Sequence, residues 1–570
     1  MYRRYSVVSS HGDGGPQRLS RGWVFGGIIS LALFGQSALA QDGRDHALKL
    51  LGKHVFFDTS LSSSGEMGCV TCHEPSAGGT HGDSLVNQGQ VGVTSAGFSF
   101  VGRRKPQTNA YASFNDPFLP CNRGGPSAPP GVERYCGGNF WDGRALGRPF
   151  IEGEFAAGIQ STPHIGEEIF HDITSPRALR YARYISAISD QAMNPIPNVV
   201  EQNMPRDQVC LAVARSNYAW LYELAWGVEP NCSTAIATGE ERHLDITFKR
   251  SMLAVGAYQH SRDINSFTSK RDFALRAELA CIDNEFRDYK DPQVCKMVRD
   301  LQKTNPEKQY GKFPLVLFTD EENLGHDLFY NVNFAGITTP NPRNLAVTNC
   351  AFCHSDDPAN DDGSELLQTY SDQAYHNIGV PPNPELIAAS GDPGDLGLIE
   401  TTGLHRPGFT RSQTLRNVFK KPSEDFVKAY MHNGFFKSLE SVVHFYNTRD
   451  VKDVCEDILP AGTVITEAVA LANDCWPAPE FPAFKTPGIL AGDLNMSPEE
   501  EAALVAFMKT LDDMHTAQPP RLLRRGATDP VVTGLSSGQI SVCEGEGSGK
   551  CKNLTDVIRE LGEDSWLSSE

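Results

Sequence analysis

Cys69-Val70-Thr71-Cys72-His73 and Cys350-Ala351-Phe352-Cys353-His354 are two copies of one pattern, C-x-x-C-H. This is the attachment signature of a c-type haem. Two cysteines three apart form thioethers with the two vinyl groups of one porphyrin, and the histidine that follows lies under the iron as an axial ligand. A zinc half-site or a thioredoxin-like pair also uses two cysteines at this spacing, but neither explains a histidine after both pairs. Two covalently bound haem c groups are therefore expected, one on Cys69 and Cys72, the other on Cys350 and Cys353, with His73 and His354 as iron ligands.

Working outward, each motif sits inside a longer repeat. Leu51-Gly52-Lys53-His54-Val55-Phe56-Phe57 precedes the first and Leu324-Gly325-His326-Asp327-Leu328-Phe329-Tyr330 the second. In both, leucine and glycine lead into a helical turn that ends in two aromatics, as in a duplicated cytochrome c unit. Apolar residues recur at helical spacing over Asp207 to Trp226, Leu244 to His260 and Pro498 to Leu511, the last with Ser497 as N-cap. Gly-, Pro- and Asn-rich stretches separate these segments, and no run of alternating strands is evident. The fold expected is mainly α, with two cytochrome c-like haem domains and long loops. The first domain spans 41–305 and the second 306–515; a loosely ordered tail follows over 516–570.

The first forty residues read as an export signal. Arg3, Arg4, Arg18 and Arg21 precede the apolar run Trp23 to Gly35, and Ala38-Leu39-Ala40 is a small-residue cleavage site. That run is too short to span a bilayer comfortably, which takes about 20 apolar residues. The mature chain is expected in a bacterial periplasm or at the outer cell surface, without stable membrane insertion. Removing four arginines and Asp13 with the signal takes the net charge from −19 to −22. Such acidity argues against nucleic acid and suits either plain solubility or a basic protein partner. Ten further cysteines fall as near neighbours in an oxidising compartment, and are read as disulfides 121–136, 210–232, 281–295, 455–475 and 543–551.

Several separate blocks then resemble one family, the bacterial di-haem cytochrome c peroxidases and their MauG-like relatives. They are Leu51 to Ser62, Phe140-Trp141-Asp142-Gly143-Arg144-Ala145, Gln191 to Met204, Tyr375 to Gly379, Thr414 to Val418 and Tyr430-Met431-His432-Asn433-Gly434. The resemblance implies a first haem that meets hydrogen peroxide and a second that stores an oxidising equivalent. It places Glu201 as the acid–base carboxylate of peroxide cleavage, Gln191 as the glutamine of the same loop, and Trp141 as the relay between the haems. The insert Leu146 to Asp190 is longer than the family's usual connection. Residues 86–100, where many family peroxidases carry a capping histidine, have none. His81 is the one early candidate, and a polar loop histidine is expected to face solvent.

For the second haem, the family's peroxidases use a methionine at a fixed spacing after the histidine of the Tyr430–Gly434 block. Counting from His432 lands on Tyr446, and MauG-like oxidases have tyrosine there. A phenolate oxygen stabilises oxidised iron better than a thioether. Met431, Met496 and Met508 are the competing ligands. The resemblance also implies calcium between the domains, but the aligned position is Lys105, which argues against calcium here.

Three functions follow. The first is a periplasmic peroxidase drawing electrons from a small cytochrome c or cupredoxin. The second is a MauG-like oxidase that modifies residues of a partner protein substrate. The third, an electron carrier with both irons fully ligated, is disfavoured by Glu201 in its loop.

Overall fold

The computed structural model describes residues 44–123, 127–156, 161–173, 178–234 and 242–520, and the backbone of three short strands at 523–525, 541–544 and 551–553. The expected export signal lies outside the described residues. Among those described, no helix is long and apolar enough to cross a membrane.

The repeat seen in the sequence becomes two equivalent helix crossings. A helix over residues 44–57 buries Ala47, Leu48, Leu51, Val55 and Phe56 against Met252, Ala254, Val255 and Tyr258 of the helix His243–Gln259. At the crossing a Cβ on Gly52 would lie 1.8 Å from the Ala254 carbonyl oxygen. The second repeat helix, Asp320–Phe329, meets the helix Pro498–Lys509 in the same way, and a Cβ on Gly325 would lie 1.9 Å from the Ala503 carbonyl oxygen. Only glycine permits backbones to approach this closely. Both C-terminal-half helices start with capping boxes, Thr319 with Glu322 and Ser497 with Glu500, so the expected N-cap at Ser497 is present.

Around these crossings lie two large apolar cores. One draws on residues from Ala47 to Ile264, the other on residues from Ala274 to Leu511. A smaller cluster of Phe118, Tyr135, Phe155, Tyr375 and Phe409 packs between the loops of the two halves. Strand content is slight: Tyr375–His376 pairs antiparallel with Thr410–Arg411, and no described strand is longer than four residues.

The apolar stretch Asp207 to Trp226 forms two helices rather than one, Arg206–Arg215 and Ala219–Trp226. The break falls at Ser216, whose hydroxyl donates to the Val213 carbonyl at 2.8 Å and competes with the helical ladder. The long insert is folded onto the first core. Ile165, Ile169, Tyr181 and Tyr184 are buried in it, and the Arg250 guanidinium donates to the Ile169 carbonyl at 2.7 Å.

Four of the expected disulfides are formed: Cys121–Cys136, Cys210–Cys232, Cys281–Cys295 and Cys455–Cys475. Loops of this length contribute on the order of 3 kcal/mol each in the chain-entropy account. The fifth pairing falls on residues whose side chains lie outside those described, although Cys543 and Cys551 are register partners on adjacent antiparallel strands.

Candidate active site

Cys69–Cys72 and Cys350–Cys353 each form a single helical turn, and all four cysteines are free thiols. The histidines close these turns, His73 N–H donating to the Cys69 carbonyl at 3.0 Å and His354 N–H to the Cys350 carbonyl at 2.9 Å. Each imidazole is then held from behind. His73 Nδ1 lies 3.1 Å from the Gly79 carbonyl, and His354 Nδ1 lies 3.3 Å from the Tyr370 carbonyl. A carbonyl at Nδ1 fixes the proton there and leaves Nε2 as the nitrogen for a metal. Burial lowers both imidazole pKa values, which keeps them in the neutral, ligating form. The same burial pushes the Cys69 thiol up to about 12 and the Cys350 thiol up to about 11.

The first motif opens into a cavity that it shares with Gln191, Glu201, Phe56 and Val255. Glu201 sits in a tight loop: its N–H donates to the Asn198 carbonyl at 3.0 Å, and Asn198 Nδ2 donates to its Oε1 at 3.3 Å. Burial pushes the Glu201 carboxyl above its ordinary range, while Arg144 and the Asn198 hydrogen bond pull it down. Gln191 is anchored by its oxygen, which accepts from Asn139 Nδ2 at 2.6 Å. Among the described residues, His73 is the one histidine that lines this cavity. His81 is buried rather than exposed, contrary to expectation, because its Nδ1 lies 2.8 Å from the Thr71 carbonyl and its own carbonyl accepts from Asn87. It does not line the first cavity.

Tyr446 projects from the helix Leu439–Thr448 into the cavity of the second motif, which His354, Cys350 and Cys353 also line. Burial raises its phenol pKa. Met431 and Met508 line the same cavity, whereas Met496 is packed in the second core and does not. Beside Cys353, His376 Nε2 lies 2.9 Å from an Asp372 oxygen. Cys353, Asp372 and His376 form the single metal-like cluster among the described residues, and Cys353 is already part of the attachment motif.

Trp141 lines the second cavity. Its indole N–H donates to the Lys105 carbonyl at 2.9 Å, its carbonyl accepts from Arg411 N–H at 2.9 Å, and its ring meets His432 edge-on at 6.3 Å. The next residue, Asp142, accepts from Arg104 at 2.6 Å and Arg144 at 2.8 Å. Burial alone would raise its carboxyl, but Arg144 and Arg104 hold it well below the usual range. Arg104 also pairs with Asp395 at 2.6 Å and so ties this block to the second half of the chain.

A buried hydrogen-bonded ring escaped the sequence reading. Asn139 Oδ1 accepts from Gln107 Nε2 at 2.8 Å and from Arg411 Nη2 at 3.1 Å. Arg411 Nη2 also donates to Gln413 Oε1 at 3.1 Å, and Gln413 Nε2 donates back to Gln107 Oε1 at 3.4 Å. Through Asn139 and Gln191 the ring reaches the first cavity, and through Arg411 and Gln413 it lines the second. Arg411 and Gln413 directly precede the Thr414–Val418 block, so their place in the chain was the available signal.

Both cavities suit a covalently held porphyrin: free thiols three apart, a neutral buried imidazole held at Nδ1, and a largely apolar lining. Tyr430 Oη, buried in the second cavity's wall with no hydrogen-bond partner, is one polar atom an occupant can satisfy.

Comparisons with known proteins agree with this geometry. A family model described as di-haem cytochrome c peroxidase matches residues 46–279. Methylamine utilization protein MauG of Paracoccus denitrificans (strain Pd 1222) is 26% identical over 475 residues, covering 82% of this chain and 89% of that protein. Among solved structures, the diheme peroxidase BthA of Burkholderia thailandensis E264 superposes with a TM-score of 0.51 at 20% identity, over 82% of this chain and 87% of that one. A point variant of it gives 0.50 at 20% identity, over 83% and 87%.

Proposed function

Because the chain is kin to the di-haem cytochrome c peroxidases and MauG, we propose that it is an exported, periplasmic di-haem peroxidase that reduces hydrogen peroxide with electrons from a small cytochrome c or cupredoxin. Two electrons and two protons convert one peroxide to two waters. The observation that carries this reading is that Glu201 and Gln191 share one buried cavity with the first C-x-x-C-H motif.

Cys69 and Cys72 would hold one haem with His73 as its iron ligand, and Cys350 and Cys353 the other with His354. When bound, the haems supply redox-active iron that takes and gives electrons singly. Glu201 takes a proton from one peroxide oxygen and returns it to the oxygen that leaves as water. Its buried setting, with one neutral hydrogen bond and a distant guanidinium, suits a carboxyl that must change protonation state during turnover. Gln191, held by its oxygen, presents its amide nitrogen as the group left for a substrate oxygen. Trp141 is the relay between the two sites, held by hydrogen bonds at its indole nitrogen and its carbonyl. Calcium forms no part of the proposal: Lys105, at the position the resemblance gives to a calcium ligand, is buried beside Lys428.

A second reading, a MauG-like oxidase acting on a partner protein, has one specific observation in its favour. Tyr446 lines the second cavity with His354. The readings separate in one assay series on the purified holoprotein. Sustained steady-state peroxide consumption with reduced small cytochrome c supports the peroxidase. Peroxide reaction without cytochrome turnover sinks it and favours the oxidase. Tyr446→Phe should change the electron paramagnetic resonance signal of the second haem and leave that of the first intact.

A further inference from the structure

Three buried basic side chains line the second cavity, Arg411, Lys428 and Lys105, and among the described residues none is within ion-pair distance of a carboxylate; burial lowers Lys105 to about 7 and Lys428 to about 8, which leaves Arg411 as the lasting charge. Arg411 is 3% exposed and donates to the oxygens of Asn139, Gln413 and Phe140, all of them neutral. Lys428 donates to the carbonyls of Asn417 and Lys420, and Lys105 to that of Pro106. Several other buried cations in this protein are paired with acids. Arg416 is clamped on Asp272, Arg104 on Asp142 and Asp395, and Lys308 on Glu278. A buried charge without a counter-ion is costly. Arg411, buried, lining the cavity and bonded only to neutral oxygens, marks it as a place for an anionic occupant.

Arg411 is the most constrained of the three. It lies on the strand Thr410–Arg411 that pairs with Tyr375–His376, and its side chain is fixed by the ring of Asn139, Gln413 and Gln107. A guanidinium held rigidly, with Nη1 to spare beyond the oxygens of Asn139, Gln413 and Phe140, fits a planar carboxylate. The nearby acid Asp372 is already engaged by His376 and by the Ala374 N–H.

We propose that Arg411 is the anion anchor of the second cavity and that its ligand is a carboxylate borne by the second haem. This rests on the two-haem reading above. The ring then has a purpose beyond packing: it couples the charge partner of the second haem to Asn139, which positions Gln191 in the first cavity.

The test is a spectroelectrochemical titration of the holoprotein with Arg411→Gln and Arg411→Lys. A cation near the iron favours the reduced form. The glutamine variant should therefore show a lower midpoint potential at the second haem, and the lysine variant should regain most of the wild-type value. Equal potentials in wild type and Arg411→Gln would overturn the proposal. A wild-type potential that tracks phosphate concentration would assign the guanidinium to a free anion and overturn it too. Should Arg411→Gln fail to fold, the crystal structure of the wild-type holoprotein decides. A haem carboxylate oxygen within hydrogen-bond distance of the guanidinium supports the proposal, and both carboxylates of that haem lying elsewhere overturn it. Peptide mass analysis showing no haem on Cys350 and Cys353 would remove the two-haem reading itself.

Discussion

Replacing Glu201 with glutamine separates what this side chain does for the reaction from what it does for the fold. The two residues are isosteric, and the hydrogen bond from Asn198 Nδ2 has a carbonyl oxygen to accept it in either case. What changes is the ability to carry a proton. General acid–base assistance contributes typically 10²–10⁴-fold, which corresponds to about 3–5 kcal/mol of barrier. Turnover with peroxide and reduced cytochrome should fall by that range, with both haems still attached. The effect on stability has the opposite sign. Burial raises the folded carboxyl pKa above its unfolded value. Its stabilising contribution is thus present below the unfolded pKa and lost as pH rises through the folded one. Where the carboxyl is ionised, its burial is a cost that a neutral amide does not carry. Glu201→Gln should accordingly unfold at the wild-type temperature or slightly above it at pH 7. The assays are steady-state peroxide consumption and thermal unfolding of the same holoprotein preparation. Wild-type turnover would refute the acid–base role, and a large loss of thermal stability would refute the account of its environment.

Other consequences are as direct. Gly325→Ala places a methyl 1.9 Å from the Ala503 carbonyl oxygen, so the helices must separate. Overpacking costs about 1–3 kcal/mol against about 1 kcal/mol gained in helix propensity, and the thermal midpoint should fall; a rise would contradict the crossing. Asp272 takes both Nη atoms of Arg416, at 2.8 and 3.0 Å, and Asp272→Asn should destabilise by about 3–5 kcal/mol by leaving buried arginines uncompensated. Its carboxyl is held low by Arg416 and Arg271 despite burial. The stabilisation is therefore present above the unfolded carboxyl pKa and lost as pH falls toward the folded one, so unfolding midpoints measured down the acid limb should fall less steeply in Asp272→Asn than in wild type. Trp141→Ala should leave the first haem reactive toward peroxide in stopped-flow mixing while slowing oxidation of the second; unchanged transfer would remove the relay.

Much of this arrangement was legible in the chain. The two C-x-x-C-H motifs and the Leu-Gly repeat carry it because attachment needs adjacent residues and a helix crossing needs a glycine at one point. Four disulfides were readable from near-neighbour spacing for the same local reason. The split at Ser216 was not, since it turns on one hydroxyl choosing a backbone carbonyl over solvent. The buried state of His81 and the ring of Gln107, Asn139, Arg411 and Gln413 were also hidden. These depend on residues from distant parts of the chain meeting, and polar residues in loops give no periodic signal of burial.

We propose that one chain would hold two haems in unlike sites, one in the cavity lined by His73 and Glu201 and one in the cavity lined by His354 and Tyr446. Low-temperature electron paramagnetic resonance with near-infrared magnetic circular dichroism on the oxidised holoprotein tests it most directly. The account predicts one high-spin ferric haem and one low-spin haem without a methionine charge-transfer band. Two low-spin haems, or a histidine–methionine band from either, would contradict it.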